Sequence, residues 1–172
     1  SRTPVREALL RLEQDKIIEI AKRGGFKIRV ISERETQEIY SARAAIESYS
    51  ARMLTLDHTP KVIKELRKKI QSAENLDEHT PTAYFKANQT IHRAFVEAVD
   101  NRYLLEMFDN TWKRGTSFQL FASIDAAAMA KSLGDHESLV DAIESGDPVV
   151  AAQKMMEHID DGLHLQQDKT EA

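Results

Sequence analysis

The chain of 172 residues lacks cysteine altogether, and it has little glycine, proline or aromatic side chain. Without cysteine there is no disulfide framework, no thiolate metal site and no cysteine nucleophile. Six glycines, four prolines and 6% aromatic residues exclude collagen-like and low-complexity chains and favour helix. No apolar run approaches the roughly 18 residues that a membrane helix needs, and no basic, apolar leader opens the sequence. We therefore expect a cytoplasmic protein with no membrane partner.

Charge is unevenly divided along the chain. Residues 1–31 hold eight basic and four acidic side chains, whereas residues 32–172 hold 16 basic and 24 acidic ones. A basic segment is attracted to phosphates, and an acidic body is repelled by them. The formal net charge of −4 therefore hides two segments that suit different partners.

The basic segment opens with a helical pattern over residues 3–14. Ser1 can cap this helix, and Pro4 lies in the first turn, where its missing N–H costs nothing. Apolar residues then recur at helical spacing: Val5, Ala8, Leu9 and Leu12. A helix of this length cannot bury its apolar stripe alone, so we expect that its upstream partner elements are missing from this chain.

Two short β-prone runs follow, at residues 17–20 and 26–31, and a basic segment with Gly24 and Gly25 joins them. This pattern predicts a hairpin with a basic tip. A short basic helix followed by such a hairpin is typical of the second half of a winged helix-turn-helix. In that motif the helix enters the major groove and the wing reaches the backbone or the minor groove.

From Ser32 onward the sequence changes to long helical patterns that begin at capping residues or at steps before proline. Six helices are predicted, at about 32–56, 59–76, 80–99, 102–120, 125–144 and 147–167. The last residues, 168–172, are polar and are expected to form a frayed tail.

Three histidines lie inside these helices, namely His92, His136 and His158. Neutral imidazole is the commonest metal ligand, and histidines from separate helices can converge in a bundle core. Asn88 precedes His92 by one helical turn, so the two share a face. Spacing alone leaves open the plainer interpretation of core histidines that each satisfy one hydrogen bond. The other histidines, His58, His79 and His164, are expected to be solvated.

The nonapeptide Ser1–Leu9 resembles the recognition-helix signature of GntR-type bacterial transcription regulators. The body is similar to the FadR C-terminal ligand-sensing domain at residues 42–47, 88–92, 101, 136–137, 141–143, 146–147 and 158. The resemblance implies a mainly α protein, an antiparallel bundle of six or seven helices of the FadR C-terminal type that forms a homodimer. A partial winged helix-turn-helix would occupy residues 1–31, the effector-binding and dimerisation domain residues 32–167, and the tail residues 168–172.

The resemblance also implies a divalent metal site, built from a carboxylate four residues before a histidine and from two further histidines. Carried onto this sequence, the ligands are Asn88, His92, His136 and His158. Asn88 stands where the family usually has Asp. An amide oxygen can coordinate but brings no charge, so we expect weaker metal affinity or a more water-rich coordination sphere. Imidazole ligands favour zinc or nickel, with manganese also possible.

The resemblance assigns DNA contacts to the start of the first helix and to the tip of the hairpin. The residues are Ser1, Arg2, Thr3, Arg6, Arg23 and Gly24. Arginine bidentate to guanine is the commonest specific contact, and a dimer would read an inverted repeat in its operator. The alternative is a solvated basic face.

The expected effector is a small carboxylate, such as a sugar acid or a hydroxy acid, that completes the open positions of the metal. Arg43 is the first candidate to pair with the acid bidentately, and Arg114 with Ser117 is the second. The alternative for Arg43 is an i,i+4 salt bridge to Glu47. The alternative for Arg114 is a dimer face or an exposed position.

These features together predict a ligand-responsive DNA-binding transcription regulator and not an enzyme. One alternative is a metal-dependent hydrolase, which needs a general base beside the metal. Glu137 follows His136 directly and therefore points about 100° away on the helix. The other alternative is a metal-sensing regulator, for which metal alone would change DNA affinity.

Overall fold

The computed structural model describes residues 2–15, 17–112, 115–122 and 124–167. Within these residues the predicted mainly helical fold is confirmed. The elements are α1 (Arg2–Gln14), β1 (Ile18–Ile20), β2 (Phe26–Ile28), α2 (Glu33–Leu56), α3 (Pro60–Glu74), α4 (Pro81–Ala98), α5 (Arg102–Trp112), α6 (Gly115–Ala122), α7 (Ala126–Ser132), α8 (His136–Glu144) and α9 (Pro148–Gln167). The predicted tail at 168–172 lies outside the described residues.

The predicted hairpin is present, with β1 and β2 antiparallel and Ile18 opposite Ile28. Gly24 and Gly25 form its turn at φ of 85° and 82°, in the left-handed region that glycine adopts without a steric penalty. The hairpin contacts the bundle where Gln119 Nε2 donates to the carbonyl oxygen of Ile17 at 3.1 Å. The bundle therefore holds the hairpin at the end opposite its basic tip.

The bundle is organised around α2 and α9, which pack along each other, with α4 and α8 against this pair and α3 against α4 and α8. The fully buried apolar side chains of this core include Leu54, Ile70, Ile91, Phe95, Ile143, Met155 and Ile159. Each such side chain stabilises the fold by about 1.5–3 kcal/mol relative to an exposed one. A smaller cluster of Ile46, Val96, Phe108 and Trp112 lies between α2, α4 and α5.

The helices of the bundle begin at the capping residues that the sequence indicates. Ser32, Thr59, Thr80 and Asp125 each accept a hydrogen bond from the backbone N–H three residues later. Each cap contributes about 1 kcal/mol. Among the described residues, no helix combines the length and the apolar character that a membrane span needs.

The structure corrects the bounds of two predicted helices. The pattern at 125–144 forms two helices, because Asp135 takes a left-handed φ of 69° that a continuous helix does not allow. The pattern at 102–120 is divided between α5 and α6, and residues 113–114 between them lie outside the described part. The described chain thus has eight helical segments after the hairpin, compared with the six or seven expected. The first break places His136 at the start of α8.

Candidate metal and effector site

Three histidines from three helices converge in the interior of the bundle. His92 lies on α4, His136 opens α8 and His158 lies on α9. One nitrogen from each ring lies within 4.8 Å of the others, and the ring centroids are 4.7 to 5.3 Å apart. His92 and His136 are buried, and His158 is half-buried. Histidines grouped in this way can hold one divalent ion, for which imidazole is a suitable ligand.

His136 is oriented by the break between α7 and α8. Its Nδ1 lies 2.9 Å from the carbonyl oxygen of Leu133 and 3.1 Å from the carboxylate of Glu74 on α3. Both partners are acceptors, which assigns the proton to Nδ1. Nε2 is buried and has no hydrogen-bond partner among the described residues. A buried polar atom left unpaired costs about 1–3 kcal/mol, and a metal ion bound there would satisfy it.

His92 is oriented by a carboxylate on a different helix. Its Nδ1 lies 2.5 Å from Glu47 Oε2, and Glu47 on α2 is completely buried. An ionised carboxylate only accepts hydrogen bonds, so the proton of the neutral imidazole lies on Nδ1 and the lone pair on Nε2. A carboxylate that holds a histidine in this tautomer is the usual support of a metal-ligating imidazole.

Glu47 has two further donors. Arg43 Nε lies 3.1 Å and Trp112 Nε1 3.3 Å from its Oε1. Burial alone would raise the pKa of Glu47, but Arg43 and His92 outweigh burial and hold the pKa at about 2. Sequence reasoning considered Glu47 only as a salt-bridge partner of Arg43 and missed its contact with the histidine. The signal available in the sequence was the position of Glu47 one helical turn after Arg43, on a predicted bundle helix.

The two histidines with shifted pKa values are neutral at pH 7. Burial lowers the pKa of His92 to about 4, although Glu47 opposes this effect. Burial, together with the nearby His92 and His136, lowers the pKa of His158 to about 2. Metal binding requires neutral imidazole, so the protein holds these side chains in the protonation state that a metal needs.

A cavity of about 260 Å³ adjoins the histidines. Its polar wall includes Asn88, His92, His158 and Arg43, and its apolar wall includes Trp112, Phe121 and Ile124. A concave pocket that combines apolar walls with convergent polar groups is a usual form of a ligand site.

Arg43 and Asn88, which are predicted to contact the effector and the metal, both line this cavity. The Arg43 side chain is 12% exposed and forms the ion pair with Glu47, so the salt bridge considered as its alternative is present. Its guanidinium carbon also lies 4.4 Å from the Trp112 ring centroid. Asn88 is buried, and its Nδ2 donates to the carbonyl oxygen of Tyr84 at 3.1 Å. This bond leaves the amide oxygen as the atom that can coordinate a metal.

Residues 38–161 match the family model of the FCD domain. The chain belongs to the FCD family. Among curated proteins, this FCD protein is 27% identical over 180 residues to the Uxu operon transcriptional regulator of Escherichia coli, covering 93% of this chain and 70% of that protein. It is also 27% identical over 178 residues to the gluconate operon transcriptional repressor of Bacillus subtilis, covering 99% and 71%. Both relatives are named as transcriptional regulators.

Solved structures have the same fold. A GntR-type regulator from Rhodococcus sp. RHA1 gives a TM-score of 0.76 at 18% identity, covering 98% of this chain and 81% of that chain. An FCD domain described as metal-free gives a TM-score of 0.59 at 17% identity, covering 80% and 95%. In the described part of this FCD protein, the histidine cluster could bind an ion.

Ser117 is the second predicted effector residue that the structure describes. Ser117 is half-buried, is not among the residues that line the cavity, and donates its hydroxyl to the carbonyl oxygen of Thr111 at 2.9 Å. Ser117 therefore differs from our expectation of an effector contact, because its hydroxyl satisfies a backbone carbonyl of the preceding helix. Arg114 lies outside the described residues.

The residues predicted to contact DNA lie on α1 and at the tip of the hairpin. Thr3 and Arg6 are exposed in the first turns of α1, which begins at Arg2, and Arg23 and Gly24 are exposed at the hairpin tip. Ser1 lies outside the described residues. The exposed positions leave these side chains accessible to a nucleic acid.

The cavity also includes residues that the sequence did not single out, namely Tyr40, Trp112, Phe121, Ile124 and Lys131. They come from α2, α5, α6, α7 and the segment after α6. Because these residues come from different elements, their convergence follows from the packing of the helices.

Proposed function

We propose that this FCD-domain regulator binds a small organic acid at a metal ion in its bundle, and that the acid modulates binding of the regulator to operator DNA. The observation that carries the proposal is the group of His92, His136 and His158 beside a cavity that also presents Arg43. Residues 32–167 form the sensing and dimerisation domain in this proposal, and residues 1–31 belong to the DNA-binding domain.

The ligands we assign to the metal are Asn88, His92, His136 and His158. The unpaired Nε2 of His136 supports this set, as do the depressed pKa values of His92 and His158. Three imidazoles favour zinc or nickel over manganese. When bound, the ion supplies a Lewis acid that attracts an anionic oxygen. Asn88 contributes a neutral oxygen, so the site keeps more positive charge for the effector than a site with aspartate.

The effector we assign is a small carboxylate such as a sugar acid or a hydroxy acid. Arg43 supplies a cation on the cavity wall, and guanidinium pairs bidentately with a carboxylate. The cavity of about 260 Å³ limits the effector to a small molecule. The relative named for a gluconate operon makes a sugar acid a reasonable first probe.

A homodimer is part of the proposal, and an exposed stripe on α2 supports it. Exposed residues recur there at alternating spacings of three and four, the spacing of a helix-packing seam. They are Ala42, Ala45, Tyr49, Arg52 and Leu56. Tyr103 and Met107 are exposed on α5, which packs against α2. We infer that a second copy of the chain covers this stripe.

Operator DNA is the proposed partner of the basic segment, and the regulator would act in the cytoplasm, where that DNA lies. The DNA-contacting residues we assign are Ser1, Arg2, Thr3, Arg6, Arg23 and Gly24. A twofold dimer would read an inverted repeat.

Helix α2 is the element through which an effector could act on DNA binding. One of its faces carries Arg43 and Glu47 at the pocket, and another carries the exposed stripe, while its N-terminus follows the hairpin closely. The effector can change operator affinity only by as much as its affinity differs between the two arrangements of the dimer.

The hydrolase alternative finds little support at this site. Glu137 forms an ion pair with Arg67 on α3 and does not line the cavity. The metal-sensor alternative predicts that metal alone changes operator affinity.

Operator affinity measured in three conditions tests the proposal. Anisotropy titrations of the full-length regulator with its own promoter DNA would use chelator, Zn²⁺ alone, and Zn²⁺ with D-gluconate or related acids. We expect a change that requires both metal and acid, is lost in His158→Ala and is kept in the control His79→Ala, an exposed histidine. A full change with Zn²⁺ alone favours the metal sensor. Acid-dependent regulation that survives chelation contradicts the proposed site.

A further inference from the structure

The buried carboxylate of Glu47 contacts both a histidine of the cluster and Arg43 at the cavity wall. One oxygen contacts the metal-ligand candidate His92 at 2.5 Å, and the other contacts Arg43 at 3.1 Å and Trp112 at 3.3 Å. All three partners are donors, and the carboxylate is completely shielded from water. A buried charge destabilises the fold unless its hydrogen bonds are made. Losing any one of these three donors would therefore be unfavourable, and this holds the donors in one arrangement.

Glu74 offers a useful contrast, because it also contacts a histidine of the cluster. His136 Nδ1 lies 3.1 Å from Glu74 Oε1, but it also lies 2.9 Å from the carbonyl oxygen of Leu133. The side chain of Glu74 is 29% exposed. The backbone acceptor at the end of α7 can therefore orient His136 without Glu74.

Among the described residues, the structure gives no such backbone acceptor for His92. It lies in the middle of α4, where the carbonyl oxygens one turn earlier accept the hydrogen bonds of the helix itself. The orientation of its ring consequently depends on a side chain from a neighbouring helix. Glu47 is the acceptor that the structure gives for His92 Nδ1.

We propose that Glu47 is the positioning residue of the pocket. Glu47 fixes the proton of His92 on Nδ1, so that Nε2 can bind a metal. It also holds the guanidinium of Arg43 against Trp112 at the cavity wall. This inference rests on the proposed metal and effector site. Because one carboxylate holds both groups, a metal at His92 and an anion at Arg43 act on the same hydrogen-bonded unit. The two ligands would then influence each other's affinity through Glu47.

The tautomer of His92 tests this inference in the metal-free protein. Long-range ¹H–¹⁵N NMR spectra distinguish Nδ1–H from Nε2–H imidazole. We expect the Nδ1–H form for His92 in the wild type, with slowly exchanging signals from Arg43 Nε–H and Trp112 Nε1–H. In Glu47→Gln, which keeps the shape and removes the charge, we expect a mixed or reversed His92 tautomer and a shifted or broadened Arg43 signal. Glu74→Gln should leave the His92 tautomer and the Arg43 signal unchanged.

Zinc affinity provides the second readout, measured by competition with a chromophoric chelator. Loss of a residue that orients a metal ligand typically weakens metal binding by about 10–100-fold, and we expect this for Glu47→Gln. We expect less than tenfold for Glu74→Gln. Co²⁺ absorption spectra should change in the Glu47 variant and not in the Glu74 variant.

The outcomes separate the inference from the proposed function. Wild-type His92 in the Nε2–H form overturns the inference even if Glu47→Gln fails to fold. Equal zinc affinity of wild type and folded Glu47→Gln overturns the inference and leaves the proposed metal site intact. A wild type that binds no divalent metal overturns the proposed site, and the inference with it.

Discussion

The carbonyl oxygen of Leu133 accepts a hydrogen bond from His136 Nδ1 at 2.9 Å across the break between α7 and α8. This bond leaves Nε2 of His136 buried and without a partner in the described part of the chain. His92 reaches the same state by another route, since the carboxylate of Glu47 holds its Nδ1. A backbone carbonyl and a buried acid thus orient two rings from different helices in the way that a metal-ligating imidazole requires.

Asn88→Asp should strengthen metal binding and weaken the metal-free fold. A carboxylate would add charge-assisted coordination, and a gain of about 1.4 kcal/mol corresponds to tenfold in affinity. Without metal, the same carboxylate would lie buried at a position that is 3% exposed, which is unfavourable. Zinc titrations and urea unfolding in chelator measure the two effects. Unchanged zinc affinity in a folded variant would show that residue 88 does not coordinate.

The metal-free protein should lose stability as the pH falls from about 6.5 towards 4. The pKa of His92 is about 4 and that of His158 about 2 in the folded state, whereas histidine in an unfolded chain titrates near 6.5. In this window the unfolded chain binds more protons than the folded protein, so protons favour unfolding. The slope is about 1.4 kcal/mol per pH unit for each histidine.

Urea unfolding in chelator at pH 7.5, 6.0 and 5.0 measures this slope. His158→Gln removes one of the two histidines and should make the dependence shallower. A free energy of unfolding that is constant between pH 7.5 and 5.0 would contradict the assignment of these histidines as neutral and buried.

Tyr49→Glu should convert the proposed dimer to a monomer. Tyr49 is 47% exposed in the middle of the α2 stripe, and a charge placed in a helix-packing seam is unfavourable when the seam is covered. Sedimentation velocity at low micromolar concentration measures the change. Met156→Glu, at an exposed position on α9, is the control that should stay dimeric. Identical sedimentation of both variants and the wild type would argue against this face.

Arg6→Ala in the full-length regulator should weaken operator binding without changing the melting of the bundle. Arg6 is exposed on α1, and the loss of a bidentate base contact costs about 1–3 kcal/mol. Anisotropy with promoter DNA and thermal unfolding followed by circular dichroism provide the two readouts. Wild-type operator affinity in the variant would refute the assignment of α1 as the recognition helix.

Much of the fold could be predicted from the sequence, because capping residues and proline steps mark the helix starts at Ser32, Thr59, Thr80 and Asp125. The break at Asp135 could not be predicted in this way. Residues 125–144 keep a helical pattern through it, and a left-handed φ at Asp leaves no clear periodic signal. The local hydrophobic pattern predicts that residues are helical, but it does not predict where the chain leaves one helix and begins the next.

The sequence indicated the candidate ligands of the site but not the side chains that support them. The resemblance to a family and the spacing of Asn88 and His92 pointed to the proposed metal ligands, since both depend on residue type and order. The contact between Glu47 and His92 joins residues 45 positions apart, so it follows from how α2 packs on α4. The apolar cavity wall at Trp112 and Phe121 likewise depends on the angles between helices.

The most direct test of the central claim is an anomalous difference map from crystals of the protein grown with Zn²⁺ and measured at the zinc edge. We expect one strong peak per chain within coordination distance of His92, His136 and His158, with Asn88 next to it and Arg43 facing the adjoining cavity. A map with no peak between the three histidines, at a zinc concentration that saturates other sites on the surface, would contradict the account.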